Sequence, residues 1–177
     1  SVYCRRMADL LFLMGERARE RTGKPVVASR PTSEPSGDPV HDYFLSAAEE
    51  YLRFSRLKGV DSESSLAAGW KAIQALDEAG ERDRQVEAIE SFIHRWTDSP
   101  RVPEAILRLG QTYQAMGNTK AAIEAYQRNL ARYPRTYWAS QSVVPLADCF
   151  IETGQTEKAE QTLLRVVDRS GDDDLAL

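Results

Sequence analysis

The chain has 177 residues, 42% hydrophobic and 28% charged, which is enough apolar material for a core and no sign of wholesale disorder. A formal charge of −4, a pI near 5.3 and no stripe of Lys and Arg exclude nucleic acid as the main partner. No apolar run reaches the roughly 20 residues that span a membrane, so no direct membrane insertion is expected of this segment.

The chain begins with Ser rather than Met and is read as an excerpt of a longer or processed protein. Its first predicted helix covers 2–20, with Met7, Ala8, Leu11 and Gly15, and its partner covers 40–57, with Ala47, Tyr51 and Phe54. Between them, 22–39 holds four prolines and little that packs, which predicts an extended inserted loop. A second hairpin is expected over 63–97, with helices at 64–79 and 82–96 about Gly80. In the third, 103–134, Ile106, Leu109, Tyr113 and Met116 mark one amphipathic helix, and Ala122, Tyr126, Leu130 and Tyr133 mark the next. Gly117 suits a left-handed C-cap, Asn118 an N-cap, Pro103 a first helical turn and Pro134 a stop. The fourth hairpin, 138–169, turns at Gly154; Pro145 inside its first helix should kink that helix or delay its start. Residues 171–177 read as a polar tail.

The hairpins repeat. Ala88 and Ala122, Phe92 and Tyr126, and Pro100 and Pro134 are each 34 residues apart, whereas Leu109 and Leu146, Gly117 and Gly154, and Ala122 and Ala159 are each 37 apart. The longer period places three extra residues around 135–138. The eight residues from Gly80 to Ala88, against five from Gly117 to Ala122, imply a longer turn in the second hairpin.

Leu109, Gly110, Tyr113, Gly117, Ala122, Tyr126 and Pro134 together resemble the tetratricopeptide repeat. The resemblance continues through Leu146, Ala147, Phe150, Gly154 and Ala159 and, at the start, through Met7, Ala8, Leu11 and Gly15. It implies an all-α fold, a right-handed superhelix of about four stacked antiparallel hairpins in one solenoid over 1–170, and a non-catalytic scaffold for a protein or peptide partner. Small residues would sit where helices cross closely and aromatics would fill the neighbouring gaps. Asn129 departs from this by occupying a usually small position. The lengthened junction YPRTYWAS resembles the repeats of bacterial envelope proteins, so the periplasm or cell envelope is the favoured compartment and the cytoplasm the alternative.

Catalytic chemistry has little to build on. His41 and His94 are isolated in sequence: His41 reads as an exposed helix-start residue and His94 as a packing or surface residue. No metal-binding, phosphate-loop or nucleophile-elbow string occurs, so no cofactor or metal is implied. Cys4 and Cys149 fall in hairpins three packing steps apart at about 9 Å each, too far for the roughly 4.4–6.8 Å of a disulfide, and read as reduced thiols.

The resemblance also implies which side chains would line the concave groove. Carried over by register, these include Arg5, Asp9 and Phe12 in the first unit, Trp70 and Gln74 in the second, Leu107, Gln111 and Gln114 in the third, and Gln141, Val144 and Asp148 in the fourth. The Lys, Asn and Arg clamp by which some members hold a C-terminal carboxylate is not reproduced at the matching positions. One expectation is that the glutamines bond to a partner's backbone while Trp70 is an aromatic anchor. The alternative is that the first hairpin covers Trp70 and the glutamines are ordinary surface residues. Two further readings stay open: an accessory domain of an enzyme outside this excerpt, and a self-associating unit forming a homo-oligomer through exposed apolar ends.

Overall fold

The computed structural model describes residues 2–22 and 37–173, with side chains at 3–21 and 37–164. Among the described residues every regular element is helical: α1 Val2–Thr22, α2 Pro39–Ser55, α3 Ser62–Ala79, α4 Arg82–Arg95, α5 Val102–Ala115, α6 Thr119–Arg132, α7 Tyr137–Ser140, α8 Val143–Glu152 and α9 Thr156–Asp173. The all-α class follows the sequence. Of the proline-rich stretch 22–39, residues 23–36 lie outside the described residues, as do 174–177 of the predicted tail; α9 itself runs on to Asp173.

The chain forms two compact units, Ser1–His94 and Arg95–Leu177. In the first, Asp38 opens α2 by accepting a bond from the Val40 amide at 2.9 Å, with Pro39 in the first turn, where its missing N–H costs nothing. α1 packs on α2 through Phe12, edge-on to Phe44 with ring centroids 5.1 Å apart, and through the close approach of Gly15 to the same ring. α2 abuts α3, where the Ser65 hydroxyl donates to the Ser55 carbonyl, and Trp70 of α3 meets Phe92 of α4 at 5.5 Å.

One turn recurs in both units. At Gly80, Gly117 and Gly154 the backbone is left-handed, with φ of 73°, 74° and 72°. Each glycine amide bonds three residues back and the next amide five residues back: Glu81 to Leu76, Asn118 to Tyr113 and Gln155 to Phe150. This satisfies the last carbonyls of the preceding helix, at a φ that a Cβ would disfavour. The next helix starts two residues later in every case, at Arg82, Thr119 and Thr156.

The second hairpin's turn is therefore not longer, contrary to the sequence reading. Gln85, buried five residues after Gly80, takes the place that the fully buried Ala122 and the buried Ala159 take after their glycines. A three-residue slip rotates a helix face by only about 60°, so Ala88 and Phe92 share one buried face with Gln85 and Ile89, and periodicity cannot separate the two registers.

In the second unit, Gly110 of α5 lies under the ring of Tyr126 of α6, so closely that a Cβ there would be 2.3 Å from Cε1. Leu107, Ala122, Tyr126, Leu146, Ala147, Cys149, Phe150 and Ala159 form its core. Pro145 acts as expected: the helical stretch breaks after Ser140 and resumes as α8 at Val143, leaving the proline in the first turn, where no amide is needed. Asn129 occupies its crowded position by donating from Nδ2 to the Pro103 carbonyl at 3.0 Å, the Trp138 carbonyl at 3.2 Å and Ser142 Oγ at 2.9 Å. That amide ties α6 to the start of α5 and to the α7–α8 junction.

Candidate partner-binding site

The first unit engages most of its candidate residues internally. Asp9 accepts from the Tyr51 hydroxyl at 2.7 Å and from Lys71 Nζ at 2.6 Å, which joins α1, α2 and α3. Burial alone would raise its carboxyl pKa, but those two bonds and the charges of Lys71 and Arg5 outweigh burial and hold it below the usual carboxylate range. Burial and the neighbouring Asp9 push the Tyr51 phenol up. Phe12 is committed to Phe44, and Gln74 is half-buried. Arg5 is exposed.

Trp70 does not serve as an exposed anchor. It is buried with its ring against Phe92, because at its position on α3 the indole turns toward α4 rather than into solvent. His41 is likewise no exposed helix-start residue. Its Nε2 lies 2.9 Å from Glu81 Oε1 and its Nδ1 3.1 Å from Asp42 Oδ1, so it links α2 to the turn after Gly80. Burial would lower its pKa, but the bonds and charges of Glu81 and Asp42 raise it. His94 is exposed.

The second unit separates its candidates differently. Leu107 is buried and belongs to the core cluster that includes Leu146 and Ala147 of α8, so it is not available to a ligand. Gln114 is half-buried and accepts from the Tyr126 hydroxyl at 3.1 Å. Burial, and then the nearby Cys149 and Asp148, raise the pKa of that phenol, which places Gln114 of α5 and Asp148 of α8 beside the same side chain. Gln111, Gln141, Val144 and Asp148 are exposed. On α8, Val144 and Ile151 are 60% and 56% exposed and seven residues apart, two turns along one face, with Asp148 between them. Ile151 shares their groove register. Glu104 lies 3.8 Å from Arg101 and 3.7 Å from Arg108.

Sequence reasoning missed one concavity, an open groove of about 460 Å³ in the first unit lined by Glu49, Leu52, Arg53, Arg56, Leu57 and Arg84. The signal was Leu52 and Arg53 at the end of α2 with Arg56 and Leu57 just beyond it. Its charges are largely paired, Arg84 with Glu49 at 3.1 Å and Arg53 with Glu50 at 3.1 Å. Both cysteines are free; burial, then Glu152 and Asp148, raise the Cys149 pKa, which makes it an unreactive packing thiol. Among the described residues no three His, Cys, Asp or Glu side chains gather to hold a metal ion, and no helix is long and apolar enough to cross a membrane.

The tetratricopeptide-repeat pattern matches residues 104–136 and 146–172. A TPR repeat-containing protein of Treponema pallidum is 36% identical over 78 residues, 43% of this chain; the match spans only 33% of that relative. Among solved structures, a putative kinesin light chain with nearly identical TPR-like repeats from Podosopora anserina superposes with a TM-score of 0.58 at 20% identity, over 93% of this chain and 77% of that one. The MamA protein superposes with a TM-score of 0.54 at 14% identity, over 96% of this chain and 95% of that one. The repeated glycine turns, the small-residue crossing at Gly110 and these matches agree: residues 104–136 and 146–172 match tetratricopeptide repeats, which generally mediate protein–protein interaction, and the fold is similar to that of TPR-like repeat structures.

Proposed function

We propose that this chain is a non-catalytic protein-interaction module and that the face built by α5 and α8 holds an extended or helical segment of a protein partner. The observation that carries the reading is the pair of large apolar side chains on α8, Val144 and Ile151, left in solvent two turns apart; Gln111 of α5 is exposed as well. Such a face matches a segment with apolar residues at a similar spacing. Gln111 and Gln141 would bond to its backbone, and Asp148 would favour a cation. In the first unit Asp9, Phe12 and Trp70 are already spent on internal packing, so the reading rests on the second unit. The relative is bacterial, and the resemblance of the YPRTYWAS junction to the repeats of bacterial envelope proteins supports placing the module in a larger assembly protein of the cell envelope.

Photocrosslinking tests the site. A benzoylphenylalanine placed at Val144 or Ile151 in the source cell should give a discrete protein adduct, and one at the exposed Glu124 or Arg128 of α6 should not. Adducts of equal yield from α6, or adducts at Val144 unaffected by Ile151→Glu with Gln111→Ala, would remove this face from consideration.

A further inference from the structure

Five large apolar side chains of α1 are left in solvent: Tyr3 at 86%, Met7 at 52%, Leu10 at 53%, Leu13 at 42% and Met14 at 37% exposure. The helix is not loosely placed, because its opposite face is committed: Ala8 and Gly15 are buried, Phe12 packs on Phe44, and Asp9 binds Tyr51 and Lys71. Positions 3, 7, 10 and 14 advance by four, three and four, the spacing of a two-helix coiled-coil seam, and fall within about 60° of one another on a helix. Arg17 continues the seam, with Arg6 and Leu13 on its flank; both arginines are exposed.

We propose that α1 is the face through which two copies of this chain pair, antiparallel, about a twofold axis at Leu10. The pattern is symmetric about that residue: Met7 and Leu13 stand three positions away, Arg6 and Met14 four, and Tyr3 and Arg17 seven. An antiparallel twofold sets Leu10 on Leu10 of the second copy, Met7 on its Leu13, and Tyr3 under its Arg17, an aromatic face offered to a guanidinium. A parallel pair would instead oppose Arg6 with Arg6 and Arg17 with Arg17. The stripe amounts to on the order of 500 Å² of apolar surface per copy, at the upper end of what monomers leave exposed. Two copies together bury on the order of 1,000 Å², at the lower limit for a specific interface, where weak and reversible pairings lie. Each copy brings Arg6 and Arg17, whose mutual repulsion salt screens, so this dimer tightens as ionic strength rises. Contact of α1 with the exposed Glu157 and Glu160 of a second copy's α9 would weaken instead.

Sedimentation velocity on the full chain decides the matter. A monomer–dimer equilibrium is expected that tightens with added salt, and Leu10→Glu should weaken it at least tenfold while the helical circular dichroism stays unchanged, because Leu10 is exposed. In a Cys4→Ser background, Leu10→Cys should link to itself on air oxidation. Met7→Cys should link only when mixed with Leu13→Cys. A monomer throughout, a dimer indifferent to Leu10→Glu, or one weakened by salt overturns the proposal. Leu10→Glu should leave the α8 photoadducts intact, so the two faces are tested independently.

Discussion

Gly110→Ala adds one methyl group where the structure has no room for it. The new Cβ would stand 2.3, 2.6 and 2.7 Å from Cε1, Cδ1 and Cζ of Tyr126, where ordinary contact begins near 3.4 Å, so the ring or the helix must give way by about 1 Å. The ring has nowhere to go: Tyr126 is fully buried among Leu107, Ala122 and Leu146, and its hydroxyl is held by Gln114. Overpacking of this kind costs about 1–3 kcal/mol, and straining the Tyr126–Gln114 bond adds up to about 1 kcal/mol. Removing a mid-helix glycine returns about 1 kcal/mol. The net is a loss of about 2 kcal/mol, or a drop of roughly 4–8 °C in melting temperature for a chain of this size. Thermal and urea unfolding followed by circular dichroism at 222 nm measures it. Gly15→Ala is the internal control: its Cβ would stand 3.0 Å from the Phe44 ring, a gap that a shift of a few tenths of an ångström closes, so propensity and crowding should nearly cancel. Truncating the ring with Tyr126→Leu should abolish most of the Gly110→Ala penalty. If Gly110→Ala melts at or above the parent, or loses as much in the Tyr126→Leu background, the close-approach argument fails.

Three further predictions rest on side chains whose roles are now visible. The raised His41 pKa means that its bonds to Glu81 and Asp42 stabilise the fold fully below the unfolded value near 6.5, and that this contribution fades as pH rises through the folded value. Urea midpoints of the parent and of His41→Ala should therefore differ more at pH 5.5 than at pH 8.5, and the reverse order would refute the assignment. Asn129→Ala removes the bonds to the Pro103 carbonyl and Ser142 Oγ, while the Trp138 carbonyl keeps the Ser142 hydroxyl, and should cost about 1–2 kcal/mol by urea unfolding, whereas a neutral result would mean that water replaces the amide. Trp70→Ala truncates a buried ring and should cost about 3–5 kcal/mol of stability while leaving adduct formation at Val144 intact in the folded fraction; lost adducts at full stability would restore Trp70 to a binding role.

The candidate site was legible in outline only. Register placed Gln111, Gln141, Val144 and Asp148 on exposed faces, where the structure has them. It placed Leu107 and Trp70 in the same class, yet both are buried, because the positions between adjacent first helices and those facing a partner lie within one turn of each other. Exposure there depends on which neighbour is present, and that is not a local property. In α1 the sequence reading grouped Met7 with Ala8, Leu11 and Gly15, and only the packing of Phe12 and Gly15 on Phe44 fixed which face points inward and left Met7, Leu10 and Met14 outside it.

By itself the sequence determined the all-α class and the glycine turns at Gly117 and Gly154, because helical periodicity, left-handed glycines and proline stops act within a few residues along the chain. It also located Gly110, since only a close crossing rewards a glycine inside an otherwise apolar helix. Only the tertiary structure decided that Gln85 rather than Ala88 follows the Gly80 turn in register, that His41 is drawn to Glu81, that Asn129 joins three elements, and that Trp70 is sealed against Phe92. Each depends on a partner brought close by another helix, and a three-residue slip along a helix leaves the one-dimensional pattern nearly unchanged while it changes every such partner.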